Sequence, residues 1–114
     1  MLLNPDRSIQ IYLCLEPTDM RRSFDKLASM AEQVVGHNLL SGNLFVFVSR
    51  KRTKLKILFW DRTGYCQYFK RLENGLFSIP YADEGEPRSI SIGFEALQLL
   101  LDGIDCLGAK RMRV

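Results

Sequence analysis

Residues 50–71 hold Arg50, Lys51, Arg52, Lys54, Lys56, Arg62, Lys70 and Arg71 against a single acid, Asp61: eight minus one, or +7 in 22 residues. Outside that stretch there are eight basic and twelve acidic side chains, or −4, so the chain as a whole is only +3. Cations gathered this way suit a polyanionic partner, the phosphate backbone of a nucleic acid being the commonest. Arg50, Lys51, Arg52 and Lys54 fall in one polar connector between apolar runs, with Lys56 just beyond and Lys70-Arg71 further on. A hairpin tip so charged could follow phosphates, as β-ribbons do in a groove. Trp60, Tyr65 and Tyr68 could add base stacking if exposed. The plainer reading is a solvated turn whose lysines keep an edge strand from aggregating. With a modest net charge, the expected DNA binding is weak, salt-sensitive and largely independent of sequence.

Catalytic chemistry finds less material. A metal-dependent nuclease or transposase needs several carboxylates converging on one ion. Asp19, Asp25, Asp61 and Glu73 are the candidates, and each has a ready explanation in a cap, an ion pair or a turn. The only histidine is His37, and the glycines are scattered at turns and caps instead of forming a phosphate-cradling loop. Cys14, Cys66 and Cys106 are far apart and form no CxxC pair, which fits a reducing cytosol and argues against zinc. The expectation is therefore a non-enzyme with no metal and no cofactor. Apolar runs reach only five residues, as in Leu44 to Val48, and no signal peptide is visible at residues 1–6. A cytoplasmic protein without a membrane span is expected.

These side chains must be positioned by a single domain of 114 residues with 46% hydrophobic and 25% charged composition, ordinary for a globular chain. Ile9, Ile11, Leu13 and Leu15 alternate, which predicts a strand with one face on the core, ended by Glu16-Pro17. Thr18 or Asp19 is the expected cap of a helix. Along it Met20, Phe24, Leu27, Ala28, Ala31, Val34 and Val35 form one apolar stripe, and Gly36 closes it. Residues 37–43 connect to four short apolar runs, 44–48, 55–60, 65–69 and 76–79. Asp61-Arg62-Thr63-Gly64 and Glu73-Asn74-Gly75 lie between them, Asn-Gly being a strong hairpin signal. Residues 82–89 read as an acidic loop and Ser89 to Ile92 as a short extended piece. Phe94, Leu97, Leu100, Leu101 and Ile104 then predict a helix over about 93–103 on the same core, followed by a basic tail. The fold class is α+β: an antiparallel sheet of about five strands (the N-terminal strand plus the meander) with two helices packed on it.

Five stretches resemble a known family, the small accessory proteins of the insertion-sequence-sixty-six transposons, often called TnpB or second-reading-frame proteins. Thr18-Asp19-Met20-Arg21-Arg22-Ser23-Phe24-Asp25-Lys26-Leu27 is similar to the family's T-D-M-R-K-G-F-D-G-L, with Arg22, Ser23 and Lys26 departing from it. Ser41-Gly42-Asn43-Leu44-Phe45-Val46-Phe47 and Lys54 to Asp61 resemble S-G-x-L-F-V-F and K-I-L-x-W-D. Tyr68 to Phe77 resembles Y-K-R-L-E-x-G-x-F, and Leu100 to Asp105 matches L-L-x-G-I-D. The resemblance covers nearly the whole chain. It implies a protein encoded beside a separate, larger transposase and involved in moving the element.

Two functions stay open. One is DNA contact through Arg50, Lys51, Arg52, Lys54, Lys56, Lys70 and Arg71. The other is docking on the transposase or another element-encoded protein, through Arg21, Arg22 and Asp25 at the helix start and Trp60 and Asp61 beside a turn. For Arg21 and Asp25 the bland reading is an ion pair one helical turn apart; for Trp60-Asp61 it is a core edge and a local turn. A homo-oligomer is compatible with either.

Overall fold

Alternating or continuous apolar runs and a helical-period stripe in each helix produce five strands and two helices in the computed structural model, which describes residues 8–36, 42–80 and 87–105. In chain order these are β1 (Ile11–Cys14), α1 (Phe24–Val34), β2 (Leu44–Val48), β3 (Lys54–Asp61), β4 (Gly64–Arg71), β5 (Ser89–Ile92) and α2 (Phe94–Leu101). They form one sheet in the order β4-β3-β2-β1-β5. The expected α+β class holds, with one refinement: β1 and β2 run parallel, and every other neighbouring pair is antiparallel. The parallel pair follows from α1, which carries the chain from the end of β1 back to the start of β2.

Both faces of the sheet are covered. Ile11, Leu13, Val46, Val48, Leu55 and Ile57 turn to one side, where they join Phe77, Ile79 and Leu97 and Leu100 of α2. Cys14, Phe45, Phe47 and Leu58 turn to the other, against Leu27, Ala28, Met30 and Ala31 of α1. On that side Tyr12 and Phe45 stack with ring centroids 5.7 Å apart. The two helices thus lie on opposite faces, not on one core, and the strand expected to have one buried face has two. This explains why all five residues of β2 are buried.

Two local expectations are corrected. Helix α1 begins at Phe24, not at Met20. Its cap is Ser23, whose hydroxyl accepts the Lys26 N–H at 3.4 Å, while residues 18–22 form a separate turn. The late start leaves Phe24 exposed at the helix tip, while Met30, outside the expected stripe, is buried. The second correction concerns residues 76–79, which are not a strand. Gly75 does take positive φ (82°), but the chain leaves the plane of the sheet and passes beneath it, sending Phe77 and Ile79 into the α2-side core. The fifth strand is β5, paired with β1 from Ile11↔Ile92 to Cys14↔Ser89.

Arg52 holds the passing segment. Its carbonyl accepts the Phe77 N–H at 2.7 Å and its guanidinium donates to the Ile79 carbonyl at 2.9 Å. Charge-assisted hydrogen bonds are typically worth about 1.5–3 kcal/mol, so Arg52→Ala is expected to lower unfolding free energy by about that much in a urea titration. At the other end of the fold, Gly103 (φ 75°) closes α2 in a Schellman motif: the Gly103 N–H reaches Leu100 and the Ile104 N–H reaches Leu99.

The thiols differ by place. Burial pushes the Cys14 thiol above its ordinary range, against the opposing effect of its hydrogen bond to the Glu16 carbonyl. Cys66 on β4 is only half-buried. A thiol-specific reagent is expected to modify Cys66 readily and Cys14 only on unfolding. Because the folded thiol binds its proton more tightly than the unfolded one, the Cys14 contribution to stability is intact below the unfolded-state pKa, about 8.5. It is lost as pH rises beyond that value, which an alkaline unfolding series with a Cys14→Ala comparison would register.

His37, Ser41, residues 1–7, most of the 82–89 loop, Cys106 and the basic tail lie outside the described residues.

Candidate nucleic-acid interface

The β2–β3 turn is built around Ser49. Its N–H donates to the Lys54 carbonyl, its carbonyl accepts the Arg52 N–H, both at 2.9 Å, and its hydroxyl accepts the Lys54 N–H at 3.1 Å. Arg52 closes the turn in the left-handed region (φ 60°). This lifts Arg50, Lys51 and Lys54 into solvent at the end of the sheet.

Residues 18–22 arrive at the same place. The Thr18 N–H donates to the Val48 carbonyl at 3.0 Å, setting the turn alongside the end of β2. Within it Asp19 accepts the Arg21 backbone N–H at 2.9 Å and receives the Arg21 guanidinium at 2.8–3.3 Å. The Arg21 guanidinium and then its backbone N–H hold the Asp19 carboxyl well below the usual carboxylate range. The expected Arg21–Asp25 pair is thus replaced by Arg21–Asp19, because Arg21 precedes the helix. Arg22 lies across the Met30 sulfur, which also meets the Thr18 hydroxyl, each at 3.7 Å. From below, the Lys56 ammonium donates to the Met20 carbonyl and sits 5.2 Å from the centre of the Phe69 ring.

Two shallow hollows join these turns. One has residues 18–21 on one wall and Arg50, Lys51 and Lys54 on the other; a second is lined by Arg22, Arg50 and residues 17–19. A third continues along α1 past Arg22 and Lys26 to Gln33. Arg21, Arg22, Lys26, Arg50, Lys51 and Lys54 therefore share one exposed region, in which Asp19 is engaged by Arg21.

The seven residues expected to contact nucleic acid divide accordingly. Arg50, Lys51 and Lys54 are exposed together on this surface, and Arg71, cross-strand from Lys54, is exposed and paired with Glu73 at 2.9 Å. Arg52 and Lys56 are committed to internal carbonyls. Lys70 points to the opposite sheet face, where its ammonium caps the α2 terminus at the Leu101 carbonyl, 2.8 Å away. The five residues expected to bind a partner also divide. Arg21, Arg22 and Asp25 are exposed beside the turn, whereas Trp60 and Asp61 lie at the far end of β3. There Trp60 meets Tyr65 edge-on at 5.1 Å. Lys26, in the first turn of α1, was absent from the expectation and belongs to the surface. Its closeness in sequence to Arg22 was the signal for it, although Arg22 itself precedes the helix. No group of three metal-ligating side chains occurs among the described residues.

A family profile described as "IS66 Orf2 like protein" matches residues 9–111. This chain belongs to the IS66 Orf2-like family. Two relatives come from Sinorhizobium fredii (strain NBRC 101917 / NGR234). "Uncharacterized protein y4hO" is 38% identical over 104 residues, which span 91% of this chain and 88% of that one. "Uncharacterized protein y4jC" is 27% identical over 113 residues, 99% of this chain and 94% of the relative. No solved structure matches. Membership ties this IS66 Orf2-like protein to the transposition of insertion sequences. None of its described helices is long and apolar enough to cross a membrane.

Proposed function

We propose that this IS66 Orf2-like protein is a cytoplasmic, non-catalytic accessory factor of DNA transposition that contacts nucleic acid through the surface shared by residues 18–22 and the β2–β3 turn. The observation that carries the reading is the Thr18–Val48 hydrogen bond. It makes one cationic face of two segments that the sequence separates by some thirty residues. Arg22, Lys26, Arg50, Lys51 and Lys54 supply phosphate contacts, and the rigid turns fix their spacing. Trp60 and Tyr65 stand at the far end of β3, away from these cations, and take no part in the contact, which is with the backbone.

Docking on the transposase is the second reading. It is favoured by the Arg21 side chain, 91% exposed yet held in a fixed pose by Asp19, an arrangement suited to a carboxylate-bearing protein surface. The test is fluorescence anisotropy of labelled transposon-end and unrelated duplexes across a salt series. Binding to both that weakens steeply with salt supports backbone contact. Absence of binding at low salt removes that reading and leaves docking.

A further inference from the structure

Strand β4 ends the sheet, and among the described residues its long outer edge is unpaired. The Leu72 N–H donates to the Thr53 carbonyl, which fixes the alternation of the β3–β4 ladder. Counting back from that pair, Tyr65, Gln67, Phe69 and Arg71 turn their N–H and C=O groups away from β3. Native edges are normally protected by lysine, proline, inward charges or a bulge. Residues 64–69, Gly-Tyr-Cys-Gln-Tyr-Phe, contain no charge and no proline, and their pairing with β3 is uninterrupted. The opposite edge, β5, is only four residues long.

The exposed apolar side chains gather around the same strand. Phe69 (50% exposed) and Tyr68 (44%) stand on its two faces. Behind Tyr68, the Lys70–Leu101 hydrogen bond ties the end of α2 to β4, and exposed Leu99, Ile104 and Leu76 cluster there about Gly103. Beyond Phe69, the Lys56 ammonium links its ring to Met20, four residues before exposed Phe24.

Charge selects the occupant. Lys70 and Arg71 lie at one end of β4, and the other end of the hairpin carries Asp61 and Arg62, whose charges cancel. A second β4 laid antiparallel places the uncharged Gly64-Tyr65 end beside the other copy's Lys70-Arg71. Parallel pairing would set like charges opposite one another. We propose that two copies of this chain pair β4 to β4, antiparallel, to form one ten-stranded sheet from two sheets of five. A two-fold axis through such an edge keeps both α1 faces on the same side, so both cationic surfaces face one way. The pairing itself does not depend on what those surfaces bind.

The test is the mass in solution of the purified full chain, by light scattering or sedimentation, from low- to high-micromolar concentration. Two variants accompany it. Gln67→Pro removes an outward N–H without touching the β3 ladder. Tyr68→Lys places a charge at the middle of the edge. The expected result is a particle of twice 13.2 kDa for the wild type and of half that mass for both variants, with unchanged far-ultraviolet circular dichroism. If Gln67→Pro fails to fold, Tyr68→Lys decides alone. A wild type that stays monomeric throughout overturns the proposal, and so does a dimer that survives the substitutions in folded protein.

Discussion

Phe77→Ala is expected to lower the unfolding free energy by about 3–5 kcal/mol, the usual range for deleting a buried phenyl ring. Phe77 is fully buried, yet it belongs to no strand or helix. It enters the α2-side core from an irregular segment together with Ile79, and that segment is fixed by Arg52. A cavity there cannot be closed by sliding a strand, because β2 and β3 are already registered above it. Set against a typical total of 5–15 kcal/mol for a domain, the loss leaves a marginal protein. Phe77→Leu, which keeps most of the volume, should cost less than about 1.5 kcal/mol. Chemical denaturation of the pair checks both values; equal, small losses would show that the segment does not support the core.

The quadruple substitution Arg22→Ser, Arg50→Ser, Lys51→Ser and Lys54→Ser is expected to lower DNA affinity at low salt by about two to three orders of magnitude. It should also flatten the log–log salt dependence by roughly 3–4, since each phosphate contact contributes about 0.9 to that slope. Arg52 is left in place because its removal would disturb the fold instead of the surface. All four residues are exposed, so thermal stability should move little. The comparison is Arg62→Gly, which removes a cation from the far hairpin where positive φ (52°) already suits glycine. It should leave affinity within about twofold if contact is local. Equal effects of the two variants would mean that total charge governs binding and that this surface has no special part.

Much of this arrangement was legible because its causes are local. Alternation in residues 9–15 and 54–60, the Asp61–Gly64 turn and the glycine at the end of α2 each announce themselves within a few residues. What the sequence concealed depends on distant partners. Asn74-Gly75 has hairpin chemistry, but Phe77 found more apolar surface beneath the sheet than at its edge. Lys56 and Lys70 look like members of a charged cluster, yet each ammonium has an internal carbonyl to serve, 36 and 31 residues away. The same holds for the candidate surface: residues 18–22 and 49–54 are each conspicuous, and only the pairing of Thr18 with Val48 makes them neighbours.

The central position of β1 has a consequence for the order of assembly. Strands β2, β3 and β4 are joined by short turns and can pair as soon as they leave the ribosome, since local closure costs little chain entropy. Strand β1 is made first, but its second neighbour, β5, follows about eighty residues later, with Ile11 meeting Ile92. Until then β1 has an unpaired side and the core beneath the meander lacks Leu97 and Leu100. A nascent chain released or stalled before residue 89 therefore presents adhesive strand edges on two sides, the condition in which intermediates aggregate or recruit chaperones. Synthesis of the last helix, more than any step at the charged surface, sets the moment at which this protein becomes a separate folded body.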